Sequence, residues 1–507
     1  MVKDPALARA IDVPSGELDG YLAAGPYVVG VVDGRLAFQP LLAAMVAAQQ
    51  QAVAQALHAS PVAATPALDA HSLVVLASMV DKETRDERDR PLVASVLYNR
   101  WRAGWHLASE ATLAAALGHA DGALRREERA TDHPFNTFVR LGLPPSPVCS
   151  PSQAALGAVA GPHSDARVMF HDPGGRHGLE LPPEERAALA AITFDPPPSS
   201  LTRGIHYLVS NERKPDYVAP ALAELGGVLI GVGTDQNFLY AGWARPDLFV
   251  AMDFDGMVAD LHGVYGVAFA AAPTPKEFLA LFAPEAQPAF EALIRKAYAG
   301  PGQKDVLAAY RWALAKVTLR MGRVIDRLAS VKVPSYLSDP EQYAHVAALF
   351  RYGRVVRLRG DLTGKITLRA VGGVLSRSHR PLGILYVSNA EQYFDYGADY
   401  RANIASLPAD ADSVVLHTWT TGNGYNFIVQ PLAAFQQWLV EPRVKNAEGM
   451  LPPLAHEQPL VLFGDLPKHE RPGDEVVTRP AAASVGTANS VPASSVGTAS
   501  SVPAAPP

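Results

Sequence analysis

In the stretch Leu76-Ala-Ser-Met-Val-Asp-Lys-Glu-Thr84 an apolar helical face runs straight into a carboxylate. Leu76, Met79, Val80 and Glu83 fall at i, i+3, i+4 and i+7, whereas Asp81, Lys82 and Thr84 lie off that line. The spacing predicts a helix with Glu83 on the side that meets the protein body. Desolvation there disfavours the charged carboxylate and raises its pKa, which makes Glu83 a candidate general acid. A helix-end ion pair with a nearby arginine explains the same placement. The stretch by itself leaves both readings open.

Downstream, Glu87-Arg-Asp-Arg-Pro-Leu-Val-Ala-Ser-Val-Leu-Tyr-Asn-Arg100 predicts a second helix, with Pro91 near its start and Leu92, Val93, Val96 and Leu97 on one face. Leu107-Ala-Ser-Glu-Ala-Thr-Leu113, Pro134-Phe-Asn-Thr-Phe138 and Gly142-Leu-Pro-Pro-Ser-Pro147 follow, and Leu18-Asp-Gly-Tyr-Leu22 precedes. In this order the motifs resemble the YceG-like family, the MltG endolytic murein transglycosylases, over about residues 15–180. The resemblance implies an α+β catalytic domain that needs no metal or cofactor and cleaves the bond between N-acetylmuramic acid and N-acetylglucosamine. The expected product is a 1,6-anhydromuramyl end. It places the catalytic glutamate at Glu83 and implies substrate-binding or orienting roles for Asn99, Arg100, Glu110, Thr112, Asn136 and Thr137. Peptidoglycan glycan strands are the implied partner, and the cell envelope or periplasm the implied location.

The chain departs from the family pattern. Glu110-Ala-Thr-Leu-Ala-Ala115 has Glu, Ala and Ala where the family has Asp, Pro and Tyr; Asp81 replaces a Glu, and Ser146-Pro-Val-Cys-Ser-Pro151 replaces Gly-Pro-Ile-x-Asn-Pro. These changes shorten the polar reach of the cleft, so weakened activity is an alternative expectation. The residues before Leu18 are expected to form neither the membrane helix nor the LysM-like subdomain that usually precede the domain. Met1-Val-Lys-Asp-Pro-Ala opens without an apolar segment, which predicts no membrane span and, if this is the true start, a cytoplasmic protein.

At 507 residues and 48% hydrophobic, the chain exceeds what one core usually serves. A formal charge of −6, with no basic run, argues against nucleic acid as a partner. Cys149 is the single cysteine, which excludes an intrachain disulfide framework. Composition divides the chain into residues 1–192, a Pro-rich linker at 193–200, a second domain at 201–463, and a linker and low-complexity tail at 464–507. The tail repeats Ser-Val-Gly-Thr-Ala from Ser484 and Ser495 and is expected to be disordered. Oligomeric state stays open.

In the second region Gly227–Gly233, Leu248–Asp253, Arg354–Arg359, Leu382–Val387 and Ser413–His417 read as buried strands alternating with helices, hence a mostly parallel α/β sheet. Polar residues recur where strands end: Gly231-Val-Gly233, Asp253, Gly360-Asp361 and Ser388-Asn389. This layout resembles Rossmann-type S-adenosylmethionine methyltransferases and implies Gly231, Gly233, Asp253, Asp361 and Asn389 as cofactor-binding positions. Asp235 and Gln236 stand where small residues would let a cofactor approach. A methyltransferase with a glycan-docking first domain, and a cell-wall scaffold whose sites have decayed, are therefore alternatives to the transglycosylase.

Overall fold

The computed structural model describes residues 18–32, 35–36, 38–59, 68–119, 124–162, 165–197, 206–421, 424–442, 444–446 and 460–462. The low-complexity tail and residues 198–205 lie outside this set.

The first region opens with a short ladder, β1 (Val31–Val32) and β2 (Arg35–Leu36), and continues with helices α1 (Phe38–Ala59), α2 (Ala70–Glu83), α3 (Arg90–Ala103), α4 (Glu110–Leu117) and α5 (Gln153–Ala160). Asp69 starts α2 by accepting a hydrogen bond from the Ser72 N–H at 2.7 Å. Every residue of α2 from Ser72 to Val80 is buried. The helix is enclosed on all sides rather than on one face, because α1, α3, α4 and α5 all pack against it. Glu83 is the last residue of the helix, just beyond that enclosed stretch. Gly20, with φ +92°, lets the Leu-Asp-Gly-Tyr turn lie on Pro147: a Cβ there would sit 2.4 Å from the proline ring.

The hairpin β3 (Phe170–Asp172) and β4 (Arg176–Gly178) and the helix α6 (Pro183–Ala190) lead to the second region. Its elements are β5 (Val228–Val232), α7 (Gln236–Ala244), β6 (Leu248–Asp253), α8 (Gly256–Ala271), α9 (Gln303–Ser330), α10 (Pro340–Arg351), β7 (Val355–Arg359), α11 (Thr367–Arg377), β8 (Leu382–Ser388), α12 (Ala398–Ala405), β9 (Val414–Thr421), β10 (Gly424–Pro431), α13 (Leu432–Val440) and β11 (Leu460–Leu462), with a further helix at Gln287–Ala297 before α9 and shorter helical turns elsewhere. The sheet order is β11-β10-β9-β8-β5-β6-β7. The strands β7, β6, β5, β8 and β9 run parallel, β10 returns antiparallel beside β9, and β11 pairs parallel with β10.

Both faces of the sheet are covered. Leu229, Phe249, Ile384 and Leu416 enter a core with α7, α8, α9 and α10, while Val228, Val250, Leu385 and Val415 enter a second core with α11, α12 and α13. Strands buried on both faces need apolar residues at nearly every position, which is why they were legible as short continuous runs.

The expected division at residue 192 is not a packing boundary. Phe170 is buried in the first of these cores, and Leu181, Leu189 and Ile192 in the second. Asp195, the first residue of the Pro-rich stretch, is buried and accepts hydrogen bonds from the Lys365, Ile366 and Thr367 N–H groups at 2.9–3.1 Å. The linker thus begins as a cap on α11. Among the described residues no helix is long and apolar enough to cross a membrane.

Candidate active site

Glu83 ends α2, half-buried. Crowding by protein holds its carboxyl pKa above the ordinary value; the Ser109 hydroxyl, His171 and Arg100 pull it down, and the like charge of Glu110 adds to the rise. A carboxyl group with a raised pKa keeps its proton to higher pH than an ordinary carboxylate and can protonate a leaving oxygen.

Arg100 and Glu110 bring charge to this carboxyl group. The Arg100 Nε donates to the Arg167 carbonyl at 2.7 Å, and its Nη1 to the Leu107 carbonyl at 3.0 Å. Burial and then the Arg245 charge pull Arg100 down to about 10, so it remains a cation at neutral pH. Arg129 holds the Glu110 carboxylate and also donates to the Glu224 carbonyl. Asn99 donates to the Ala166 carbonyl at 3.1 Å, tying α3 to the same segment as Arg100.

Three other expected substrate contacts are turned inward. Asn136 Nδ2 donates to the Arg129 and Thr131 carbonyls at 2.9 and 2.7 Å, and its Oδ1 accepts from Phe138 N–H at 3.0 Å. Thr137 Oγ1 accepts from Ser109 N–H at 2.9 Å, and Thr112 shares a 2.7 Å hydroxyl contact with Ser109. All three are buried. Short polar side chains here satisfy loop backbone groups that would otherwise be unpaired, and so brace the loops beside Glu83.

At the carboxyl ends of the strands, the five expected cofactor positions bond chiefly to their own loops. A Cβ on Gly231 would lie 1.8 Å from Asn237 Oδ1, so that glycine makes room for α7. Gly233, φ +82°, donates its N–H to Asp253 at 3.1 Å, and Asp253 also accepts from Asp255 N–H at 2.9 Å. Burial raises Asp253 to about 7. Asp361 accepts from the Thr363 N–H and hydroxyl, both at 2.8 Å, and Asn389 accepts from Ser388 at 3.4 Å.

The gap between the ends of β5 and β8, where strand order reverses, is bridged by Glu212. Its carboxylate accepts from Tyr386 at 2.7 Å, Ser388 at 3.2 Å and Gln236 at 2.8 Å. Arg320 closes the network through Asp235, the Glu212 carbonyl and Gln236 at 2.6–2.9 Å. These side chains fill the place the sequence reading gave to S-adenosylmethionine. They do not fit that cofactor.

Residues 207–468 match the family model described as Domain of unknown function (DUF7790). The chain belongs to this family. In the DUF7790 chain, residues 4–178 also match the model of the YceG-like family. An endolytic murein transglycosylase of Bacillus subtilis (strain 168) is 28% identical over 100 residues, which are 20% of this chain and 28% of that protein. The enzyme of the same description from Streptococcus pneumoniae serotype 2 is 34% identical over 94 residues, 18% of this chain and 17% of that protein. The DUF7790 chain thus spans less than a third of these curated relatives. A yceG-like protein of Listeria monocytogenes of known structure aligns over 33% of this chain and 59% of its own, at 24% identity and a TM-score of 0.29.

Sequence reasoning missed three groups at the Glu83 site. Ser109 caps α4 by accepting from Thr112 N–H at 3.2 Å, and Ser-x-x-Thr before an apolar run was the available signal. His171 and its DUF7790-region partner Asp247 carry no local signal, because their meeting depends on how the two regions dock.

Proposed function

We propose that the chain is an endolytic transglycosylase of peptidoglycan, with Glu83 as acid and then base. The observation that carries this reading is the crowded Glu83 carboxyl group, raised in pKa beside Ser109 and Arg100, within the segment that matches the YceG-like family.

Glu83 donates its proton to the glycosidic oxygen, and the bond from C1 of the muramyl residue to that oxygen breaks. The muramyl C6 hydroxyl attacks C1 and passes its proton to the Glu83 carboxylate. The products are a free 4-hydroxyl on N-acetylglucosamine and a 1,6-anhydromuramyl end. No water is consumed, so no second carboxylate has to activate one. Glu110, held by Arg129, supplies charge at the edge of the cleft. Arg100 offsets the carboxylate that forms after the first transfer. Relatives described as murein transglycosylases support glycan strands as substrate and the cell envelope as the place of action.

The test is digestion of purified sacculi by the intact chain, followed by mass spectrometry of the soluble fragments. Anhydromuramyl products that vanish with Glu83→Gln support the reading. Their absence with the native chain, or their persistence with the variant, overturns it.

A further inference from the structure

The first region docks against the amino-terminal edge of the sheet, opposite the edge that holds Glu212. The residues that receive it, Asp247, Arg354 and Arg380, immediately precede or lie just before β6, β7 and β8. Between the two regions stands the β3–β4 hairpin, which is gripped from both sides.

On the side of the first region, Arg176 donates to Asp89 at 2.7–3.1 Å and pairs with Asp86 at 3.3 Å, and His177 N–H donates to Asp89 at 2.7 Å. Asp86 and Asp89 lie in the turn that follows Glu83. On the other side, Arg354 and Arg380 donate to Asp172 at 2.6–3.0 Å, and Arg380 also donates to the His171 carbonyl at 2.9 Å. Asp247 Oδ1 accepts the His171 N–H at 2.6 Å and lies 3.6 Å from its ring Nδ1. The His171 side chain is 66% exposed, so the ring faces open space while its backbone is fixed.

We propose that Asp247, from the sheet region, positions the His171 imidazole near Glu83, on the hairpin held by the turn that follows that residue, which makes the sheet region part of the catalytic unit. This inference rests on the transglycosylase reading for its catalytic consequence, though not for the dyad itself.

The groups that bear on His171 are Asp247, Glu83 and Glu110, with the His177 ring tilted against it at 5.0 Å between centroids. Neighbouring protein pulls the His171 pKa down, but the Asp247 hydrogen bond and charge, with Glu83 and Glu110, more than reverse this and push it up to about 9. His177 is taken down to about 4 by burial and by the His171 charge, so it stays neutral. The groups that bear on Glu83 are Ser109, His171, Glu110 and Arg100. A cationic His171 therefore opposes the burial that raises the Glu83 pKa, and eases release of its proton.

Two measurements on the full chain test this. Among the 15 histidines, carbon-13 labelling of the imidazoles and loss of one signal in His171→Asn identify the His171 resonance. It should titrate well above the ordinary value of about 6.5 and fall back towards it in Asp247→Asn, which keeps an oxygen for the His171 N–H. Asp247→Glu should restore the high value. Ordinary titration in the native chain, or no change in Asp247→Asn, overturns the dyad.

Anhydromuramyl release measured against pH gives the second arm. Removing the imidazolium leaves Glu83 protonated to higher pH, so the alkaline limb should move upward in both His171→Asn and Asp247→Asn. A native-like limb in both variants overturns the catalytic consequence. If the native chain releases nothing at any pH, the transglycosylase reading and this consequence fall together, and the imidazole titration still decides the dyad.

Discussion

Glu83 is set apart from the other acids of its helix turn by what surrounds it. Asp81 is paired with Arg90 at 2.9 Å and accepts from Ser152 N–H at 2.6 Å, whereas Glu83 is crowded and faces a hydroxyl. Glu83→Gln keeps the shape and removes the proton, and should lower anhydromuramyl release by about 100-fold or more, the usual scale of acid–base catalysis. Burial acts in the same way on Asp253. Its folded pKa of about 7 exceeds the ordinary 3.8, so the fold binds a proton that the unfolded chain gives up. Stability from this group is fully present below the unfolded value and is lost as pH rises through about 7. Urea unfolding at about pH 5 and about pH 8 should show the native chain losing more stability across that window than Asp253→Asn does. Equal losses would mean the group titrates normally. The Glu83 face was readable because Leu76, Met79 and Val80 precede it at helical spacing. The inward turn of Asn136 was not, since an Asn-Thr pair in a loop suits a sugar contact and a loop brace equally.

At the scale of elements, α2 delivers the acid and Asp69 starts α2. The Asp69 carboxylate is held below its usual range first by the Ser72 N–H. Asp69→Ala should destabilise the chain by about 1 kcal/mol, the typical value of an N-cap, and should speed hydrogen exchange at the Ser72 amide. Exchange unchanged there would show that the helix start is held by packing alone. Helices α2 and α3 were legible from apolar spacing and from Pro91, and strands β5 to β9 from their apolar runs. Strand β10 escaped notice because Gly424 to Pro431 mixes Asn426 and Gln430 among apolar residues, and both are buried beside the sheet core. Polar residues in a strand interior look like a loop until the fold supplies them a buried setting.

At the scale of the molecule, two regions meet through buried charge. Arg354 is fully buried and donates to the Leu179, Asp247 and Glu180 carbonyls at 2.6–3.0 Å as well as to Asp172. Arg354→Met leaves the Asp172 carboxylate with less charge compensation at the junction, and should cost about 3–5 kcal/mol. Calorimetry should then separate the melting of the two regions, which the native interface holds together. A single transition displaced by less than a degree would show that the pair contributes little.

The sequence by itself determined helices α2 and α3, strands β5 to β9 and the candidate acid. Helical spacing, strand-length apolar runs and ordered family motifs are local properties, and side-chain sterics and burial translate them directly into helices, strands and a desolvated carboxyl group. Only the tertiary structure decided that residues 168–192 belong to the cores of the sheet region, that Glu212 fills the gap between β5 and β8, and that Asp247 reaches His171 beside Glu83. Each of these depends on groups far apart in the chain, and a buried charge acquires its partner only when docking removes water from both.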